Sequence, residues 1–313
     1  MKLFLSATIL SLASAAAVQK HGTVQQLATF PGFAENIAVR HNGHILVTSL
    51  STPSIHYLNP ARPNKTTLLQ PIPGANGVSG IVELQKDIFA VAAGIWNTTA
   101  RRETNASVWT VDFRHSSAHP TLRKIVNIPE TTVLNGLTSI PGTSIVLASD
   151  SAVGAIYAIN VKKHTHSIAI QDSVLAPTGP TPNLGVNGIK VHKSNLYFAN
   201  SGTGVFGRFP ITRSGKPTGP AETVSQFSGS VDSAIDDFVI DEHGNAYISF
   251  HPNTVFKVDS HSKQKVIVSG AQQIRDPTSV ALGRGSKKGR KALYASVNIL
   301  ADPTVGGVDA IYL

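Results

Sequence analysis

The 313-residue sequence has no cysteine, which excludes disulfides and thiolate metal sites. Aromatic residues make up 6% and charged residues 14% of the chain. Helical periodicity is nearly absent, and beyond the first residues no stretch of about 20 residues is apolar. The sequence therefore predicts no membrane-spanning helix. A chain of this kind must gain its stability from packed strands and from closure of its sheet edges.

Basic residues outnumber acidic ones, 27 to 18, which would suit an anionic partner. The charges are scattered except in the run from Arg284 to Lys291, which contains no aromatic residue and lies between two apolar segments. This run predicts a solvated hairpin loop rather than a nucleic-acid patch. We expect a small-molecule ligand, with neither nucleic acid nor membrane as a partner. Nothing in the sequence bears on the oligomeric state.

The first residues have the features of a signal peptide. Lys2 supplies a positive charge, Leu3 to Leu12 is apolar, and Ala13-Ser14-Ala15 is a small-x-small cleavage pattern. We predict a leader over residues 1–17 and a single secreted domain over residues 18–313; the alternative is a buried first element. Three glycosylation triplets agree with export, and they begin at Asn64, Asn97 and Asn105.

One pattern, a strand, a tight turn and a second strand, recurs at intervals of 42 to 56 residues. A period of about 40–50 residues with four strands per repeat is typical of β-propeller blades. The sequence thus predicts an all-β, six-bladed propeller with four-stranded blades, with two stacked sheets as the alternative. The copies open at Glu35, Ser79, Asn135, Asn187, Asp236 and Thr278.

The ends of the chain predict how the ring closes. The last repeat ends at Leu313, after its third strand, and a spare strand, Thr23–Thr29, precedes the first repeat. We expect this N-terminal strand to complete the last blade, because pairing it there leaves no open sheet edge.

The residue that opens each innermost strand is expected at one mouth of the central channel. We call these six the spoke residues; all carry side-chain oxygen and two are acidic. Converging oxygens predict a site for a hard cation such as Ca²⁺ or Mg²⁺, or a hydrogen-bonding floor for a neutral ligand. The structural alternative is that they hold water and satisfy backbone groups.

The second strand of each blade returns to the same mouth, so its last residues are predicted to line the wall. Trp96, expected in a loop, would stack on a flat ligand or cap its blade. His251 is a candidate acid or base, with a structural role as the alternative. The other wall residues are Asn97, Asp150, Asn200 and Asn298.

Common catalytic motifs are absent or out of context. Gly202 to Gly207 matches G-x-G-x-x-G, but no helix is predicted after it, so we expect no nucleotide cofactor. Neither G-x-S-x-G nor H-E-x-x-H occurs in the sequence.

The order and spacing of several short segments resemble the regucalcin and gluconolactonase-like superfamily of six-bladed propellers, and most closely its fungal secreted branch. The resemblance spans nearly the whole chain after the leader. The segments that carry it are Glu35–Arg40, Leu134–Gly136, Val186–Lys190, Asp236–Phe238, Asp241–Asn245, Pro277–Ser279 and Gly283-Arg284.

The resemblance implies a single divalent cation (Ca²⁺, Mg²⁺ or Zn²⁺) held by Glu35, Asn187 and Asp236, with Asn135 near metal and substrate. The chain departs from the lactonase pattern at two points. It has Glu35-Asn36-Ile37 in place of Glu-Gly-Pro, and Asp236-Asp237 in place of Asp-Gly. The second departure adds a carboxylate to the site and puts the lactonase substrate mode in question.

The fungal branch includes hetero-Diels–Alderases of secondary metabolism, which join a quinone methide to a terpene alkene. One hypothesis is therefore a cycloaddition in a preorganised pocket. A second is a metal-dependent lactonase, in which Asp236, Asp237 or His251 handles protons. A third is a propeller that binds without catalysis. The candidate substrate-binding residues are Ser79, Trp96, Asn135, Asp150, Asn200 and Thr278.

Overall fold

The computed structural model describes residues 22–97, 99–178, 184–228, 233–287, 289–299 and 302–313. The predicted leader over residues 1–17 lies outside these ranges. Within them, no helix has the length and apolar character needed to cross a membrane. The described helical structure consists of two single 3₁₀ turns, Ser173–Leu175 and Gly289–Lys291.

The described residues form six four-stranded antiparallel sheets, which are the six predicted blades. Blades 1 to 3 contain, from the channel outwards, β2 Ala34–Val39, β3 Ile45–Ser49, β4 His56–Leu58 and β5 Thr66–Leu68; β6 Gly77–Gln85, β7 Ile88–Asn97, β8 Arg102–Asp112 and β9 Thr121–Asn127; and β10 Leu134–Ser139, β11 Ile145–Asp150, β12 Ala155–Asn160 and β13 Thr165–Gln171.

Blades 4 to 6 follow the same order and complete the ring. Their strands are β14 Val186–His192, β15 Asn195–Asn200, β16 Val205–Pro210 and β17 Glu222–Gln226; β18 Ile235–Ile240, β19 Ala246–Phe250, β20 Thr254–Val258 and β21 Gln264–Ser269; and β22 Asp276–Leu282, β23 Ala292–Ile299, β24 Asp302–Tyr312 and β1 Thr23–Pro31. The innermost strands touch in a closed cycle, β2, β6, β10, β14, β18, β22 and back to β2.

The N-terminal strand closes the ring as predicted. β1 pairs antiparallel with β24, from Thr23 opposite Tyr312 to Pro31 opposite Val305. The last blade therefore takes strands from both ends of the chain. This pairing covers an edge that would otherwise present unpaired backbone groups.

Each pair of neighbouring blades encloses its own apolar cluster. In β7, Phe89 and Val91 face blade 1, while Ala90 and Ala92 face blade 3. Successive side chains of a strand point to opposite faces, and here both faces are buried. This explains why the second strands read as continuous apolar runs rather than alternating ones.

A β-bulge lies at the start of every innermost strand. In β2, Ala34 pairs with Ser49 but Ile37 pairs with Val47, so one extra residue is accommodated around Glu35. The same register shift occurs at the spoke of each other blade. Bulges re-aim side chains next to binding sites, and here they set the orientation of the spokes.

A hydroxyl group bridges each pair of neighbouring blades at the level of the bulges. Each one donates to a backbone carbonyl of the next blade over 2.5–2.8 Å, and we call these contacts the interblade hydroxyl bonds. They satisfy carbonyls at the irregular starts of the inner strands. The donor and acceptor pairs are Thr48–Ser79, Ser79–Leu134, Ser149–Asn187, Ser201–Ile235, Ser249–Thr278 and Ser296–Glu35.

Candidate functional site

The spoke residues form a buried polar layer at one mouth of the channel. Glu35, Asn135, Asn187 and Asp236 are each only 4–7% exposed. Burial raises the pKa of Glu35 well above its usual value, and the charges of Asp236 and Asp237 raise it further. Glu35 of blade 1 and Asp236 of blade 5 therefore lie close enough to interact electrostatically, although they are far apart in the sequence.

Three spoke side chains carry a fully buried oxygen that accepts no hydrogen bond from any residue the structure describes. These atoms are Asn135 Oδ1, Asn187 Oδ1 and Asp236 Oδ1. The orientation of Asn187 is fixed, because its Nδ2 donates to Ser201 Oγ over 3.1 Å. Leaving a buried acceptor unpaired costs about 1–3 kcal/mol, so a cluster of them calls for a ligand.

His251 lies between two carboxylates. Its Nε2 is 2.8 Å from Asp236 Oδ2, and its Nδ1 is 2.5 Å from Asp276 Oδ1. Burial alone would lower the pKa of His251, but the hydrogen bonds and charges of the two aspartates raise it to about 10. The imidazole is thus a cation at neutral pH with both nitrogens engaged. It suits holding Asp236 in place better than moving protons.

Asp237 lies below the mouth and is fully engaged. Its Oδ1 is 2.5 Å from Lys190 Nζ and accepts from the Phe238 N–H, and its Oδ2 accepts from Ser279 Oγ. Its side chain is 1% exposed. Of the adjacent pair predicted from sequence, only Asp236 keeps a free oxygen.

The other predicted binding residues use their polar atoms within the fold. The hydroxyl groups of Ser79 and Thr278 donate to neighbouring-blade carbonyls. Asp150 accepts from the N–H groups of residues 132, 152 and 153. Asn200 and Asn298 each bind backbone groups on both sides of the amide. Their hydrogen bonds shape the mouth, and their contact with a ligand stays a prediction.

The expected loop around Trp96 was wrong. The structure extends the β7–β8 hairpin, so Trp96 lies in β7 opposite Glu103 of β8. Its backbone exchanges two hydrogen bonds with the Asn76 side chain, which leaves the half-buried indole beside the mouth. The three glycosylation asparagines, Asn64, Asn97 and Asn105, are exposed, and their modification stays a prediction.

Two carboxyl residues near the mouth were missed by sequence reasoning. Asp276 lies two positions before the sixth spoke and is the first residue of β22. Glu103 is 5% exposed, although the two residues after it are exposed. Burial raises the pKa of Glu103 to about 7, against a hydrogen bond from the Leu134 N–H and with support from the charge of Asp150. No local sequence pattern predicts that either residue lies near the mouth.

The spokes fit a hard cation. Within the described residues, no group of three or more His, Asp or Glu side chains is placed to share a metal ion. A cation at the mouth would instead use a mixed set of Glu35, Asn187 Oδ1 and Asp236 Oδ1. The last two are buried oxygens without partners. Carboxylate and amide oxygens suit Ca²⁺ or Mg²⁺ better than Zn²⁺, which favours nitrogen and sulfur.

Two surface clefts lie away from this mouth. One, of about 160 Å³, is on the outer strands of blade 3, and the other, of about 330 Å³, adjoins the start of β1. Neither is lined by a carboxyl group. The candidate site therefore rests on the chemistry of the mouth.

No family model matches the chain. Among curated proteins, a Phoma protein named provisionally as a hetero-Diels–Alderase is 25% identical, over 87% of this chain and 85% of its own length. A Sarocladium schorii protein with the same provisional name is 28% identical, over 67% of this chain and 58% of its own length.

Among solved structures, a calcium-binding regucalcin from Agrobacterium tumefaciens superposes with a TM-score of 0.65 over 90% of both chains, at 15% identity. The chain is thus similar to two fungal proteins that carry a provisional hetero-Diels–Alderase name, and it shares the fold of the regucalcin propeller. At 15% identity the structural likeness shows the fold alone. The reaction has to be argued from the residues at the channel mouth.

Proposed function

We propose that this propeller is an enzyme of secondary-metabolite biosynthesis that catalyses a hetero-Diels–Alder cycloaddition at its channel mouth. The reactants would be a quinone methide and a terpene alkene. The names of the two fungal relatives support the reaction class. The observation that carries the location is the set of buried, unpaired oxygens on Asn135, Asn187 and Asp236.

The reaction asks for positioning above all. The carbonyl oxygen and the methide carbon of the quinone methide each form a bond to one alkene carbon. No atom leaves and no outside oxidant or reductant is needed. Holding both reactants in a near-attack arrangement lowers the barrier by several kcal/mol, up to about 7–11 kcal/mol.

The described residues divide this task between polar and apolar contacts. Asn187 Oδ1 and Asp236 Oδ1 would accept hydrogen bonds from hydroxyl groups of the oxygenated reactant, which fixes its rotation. The hydrogen bond to the His251 cation orients Asp236 and opposes the rise in its pKa that burial causes. The Trp96 indole offers a flat apolar face for the ring or for the hydrocarbon.

A divalent-metal-dependent lactonase is the second candidate, and the oxygen set of Glu35, Asn187 and Asp236 favours it. A bound cation would polarise the lactone carbonyl. In that case Asp236 and its neighbours bind the ion, and the reaction depends on it.

The test combines two assays on the purified protein, each with and without EDTA. We expect a quinone methide and a terpene alkene to give one stereoisomer faster than the uncatalysed reaction, and EDTA to leave the rate unchanged. A racemic adduct at the background rate would reject cycloaddition. EDTA-sensitive hydrolysis of lactones would establish the second candidate, and inertness in both assays would leave a binding propeller.

A further inference from the structure

Glu103 is held by hydrogen bonds between blades 2 and 3. Its backbone N–H donates to the Thr132 carbonyl over 2.7 Å, which ties the extended β7–β8 hairpin to the segment that leads into β10. Its Oε2 accepts from the Leu134 N–H over 3.1 Å. Leu134 immediately precedes Asn135, so the carboxyl group is anchored next to a spoke.

Space for the carboxyl group is provided by Gly94. A Cβ atom at position 94 would lie 2.3 Å from Glu103 Oε1, so any larger residue there would displace this oxygen. Gly94 lies on β7, two positions before Trp96, which pairs with Glu103. A glycine beside a buried carboxyl group is a close-approach site, not a turn requirement.

The second carboxyl oxygen is left for a ligand. No described residue donates a hydrogen bond to Glu103 Oε1, and this oxygen is outside the set of fully buried unpaired atoms, so it keeps an accessible edge. The charged groups around it are Asp150, at the end of β11, and Arg102, its neighbour on β8. Asp150 accepts three backbone N–H bonds, and Arg102 binds Thr132 Oγ1.

Glu103 would add a hydrogen-bond donor to the acceptor oxygens of the spoke side chains. Their unpaired buried atoms are acceptor oxygens, which cannot bind a carbonyl oxygen of a reactant. A neutral carboxylic acid has one O–H donor, and the Leu134 N–H already occupies Oε2 as an acceptor. The proton therefore belongs on Oε1, the free oxygen.

We propose that Glu103 is a catalytic hydrogen-bond donor of the mouth, which holds the carbonyl oxygen of the oxygenated reactant through its Oε1–H. The inference rests on the proposed cycloaddition and adds a residue to it. The hydrogen bond draws electron density from the carbonyl, so the methide carbon becomes a better acceptor for the alkene. The proton stays on Glu103 throughout, and no further reactant is consumed.

The variant Glu103→Gln separates the donor from the charge. Its amide oxygen can accept from the Leu134 N–H, which turns its NH₂ group to the place of Oε1–H. Glutamine is thus a donor at every pH, whereas glutamate is a donor only while protonated. Glu103→Ala removes the donor altogether, and Glu222→Gln, on an exposed ion pair with Arg208, is the matched surface control.

The experiment measures kcat/KM for cycloaddition from about pH 5.5 to 8.5, corrected for the uncatalysed rate. We expect the wild-type value to fall roughly tenfold or more above pH 7, Glu103→Gln to stay level within about threefold, and Glu103→Ala to be low at every pH. The Glu222→Gln control should follow wild type. The donor role would be overturned if kcat/KM of Glu103→Ala equalled that of wild type. It would also be overturned if kcat/KM of Glu103→Gln fell above pH 7 as it does in wild type.

A binding measurement keeps this inference distinct from the proposed reaction. Tropone is a ring carbonyl that does not ionise over this range, and its affinity for the protein can be followed by calorimetry. If wild type fails to accelerate cycloaddition, the proposed function fails, and tropone then decides the donor role alone. Affinity that weakens with rising pH in wild type but not in Glu103→Gln supports it; pH-independent or absent binding to wild type rejects it.

Discussion

At the bulges, the backbone carbonyls and the spoke side chains differ in whether they have a hydrogen-bond partner. The interblade hydroxyl bonds give backbone carbonyls a donor, whereas three of the six spoke side chains keep a fully buried oxygen without a described partner. Asn187 shows both: its carbonyl accepts from Ser149 Oγ over 2.6 Å, while its Oδ1 is buried without a partner. The ring is therefore held together by backbone carbonyls and neighbouring hydroxyl groups. The unpaired side-chain oxygens of Asn135, Asn187 and Asp236 are the ones left for a ligand.

The largest expected effect comes from His251, which belongs to the mouth but acts as a structural cation. In His251→Leu, Asp236 and Asp276 face each other without compensation, so the free energy of unfolding at neutral pH should fall by about 3–5 kcal/mol. Denaturant unfolding measures this. The control is His243→Leu on an exposed turn, which should change stability by less than about 0.5 kcal/mol.

The pH dependence of the His251 effect has a defined sign. The pKa of His251 is about 10 in the folded protein against 6.5 when unperturbed. Its stabilisation is complete below about pH 6.5 and is lost as the pH rises towards 10. A wild-type stability that is level between these values, with an unchanged His251→Leu, would contradict the ion-pair arrangement.

Glu103 should weaken the fold as the pH rises. Its pKa is about 7 in the folded protein against 4.5 when unperturbed. The contribution of Glu103 to stability is therefore largest below about pH 4.5 and declines until about pH 7, by about 3 kcal/mol. Glu103→Gln should remove that decline, as measured by urea unfolding at several pH values. A decline of equal size in Glu103→Gln would show that another group is responsible.

Two variants test the difference between the engaged carbonyl and the unpaired side-chain oxygen of Asn187. Ser149→Ala leaves the buried Asn187 carbonyl without its donor and should cost about 1–3 kcal/mol of unfolding free energy. Asn187→Ala removes an acceptor that was never satisfied and one hydrogen bond from its Nδ2 to Ser201 Oγ, which keeps its own bond to the Ile235 carbonyl, so the cost should stay near about 1 kcal/mol. Chemical denaturation of both variants gives the difference, and a reversed order would break the distinction.

The smallest expected effect concerns Gly94. Its backbone does not need glycine, but an added Cβ would meet Glu103 Oε1 at 2.3 Å. Gly94→Ala should therefore cost under about 1 kcal/mol in stability and lower kcat/KM below pH 7 by a few fold. Thermal unfolding and the cycloaddition assay measure the two effects. Full activity in Gly94→Ala would mean that the carboxyl position has no part in turnover.

The ring was predictable from sequence because its signals are local. Alternating or continuously apolar runs, turn dipeptides and a repeat of steady length all act within one blade. The spare N-terminal strand, Thr23–Thr29, became informative because the last repeat lacked a fourth strand. The six spoke positions followed from the same repeat.

The pairing of side chains at the mouth was not predictable, because it depends on contacts between distant residues. Lys190 neutralises Asp237 from 47 positions away, and Leu134 anchors Glu103 from 31 positions away. Asp276 lies outside the repeat template and contacts His251 across two blades. Sequence reasoning identified oxygen-bearing residues at the mouth, but not which of them the fold engages.

The most direct test of the mouth as the active site is the stereochemical purity of the cycloadduct formed by Asn135→Ala/Asn187→Ala. Asn195→Ala, at the far end of β15, is the matched control. We predict a racemic product at the background rate from the double variant, with its unfolding free energy within about 1–2 kcal/mol of wild type. A folded double variant that still makes a single stereoisomer at the wild-type rate would contradict the account.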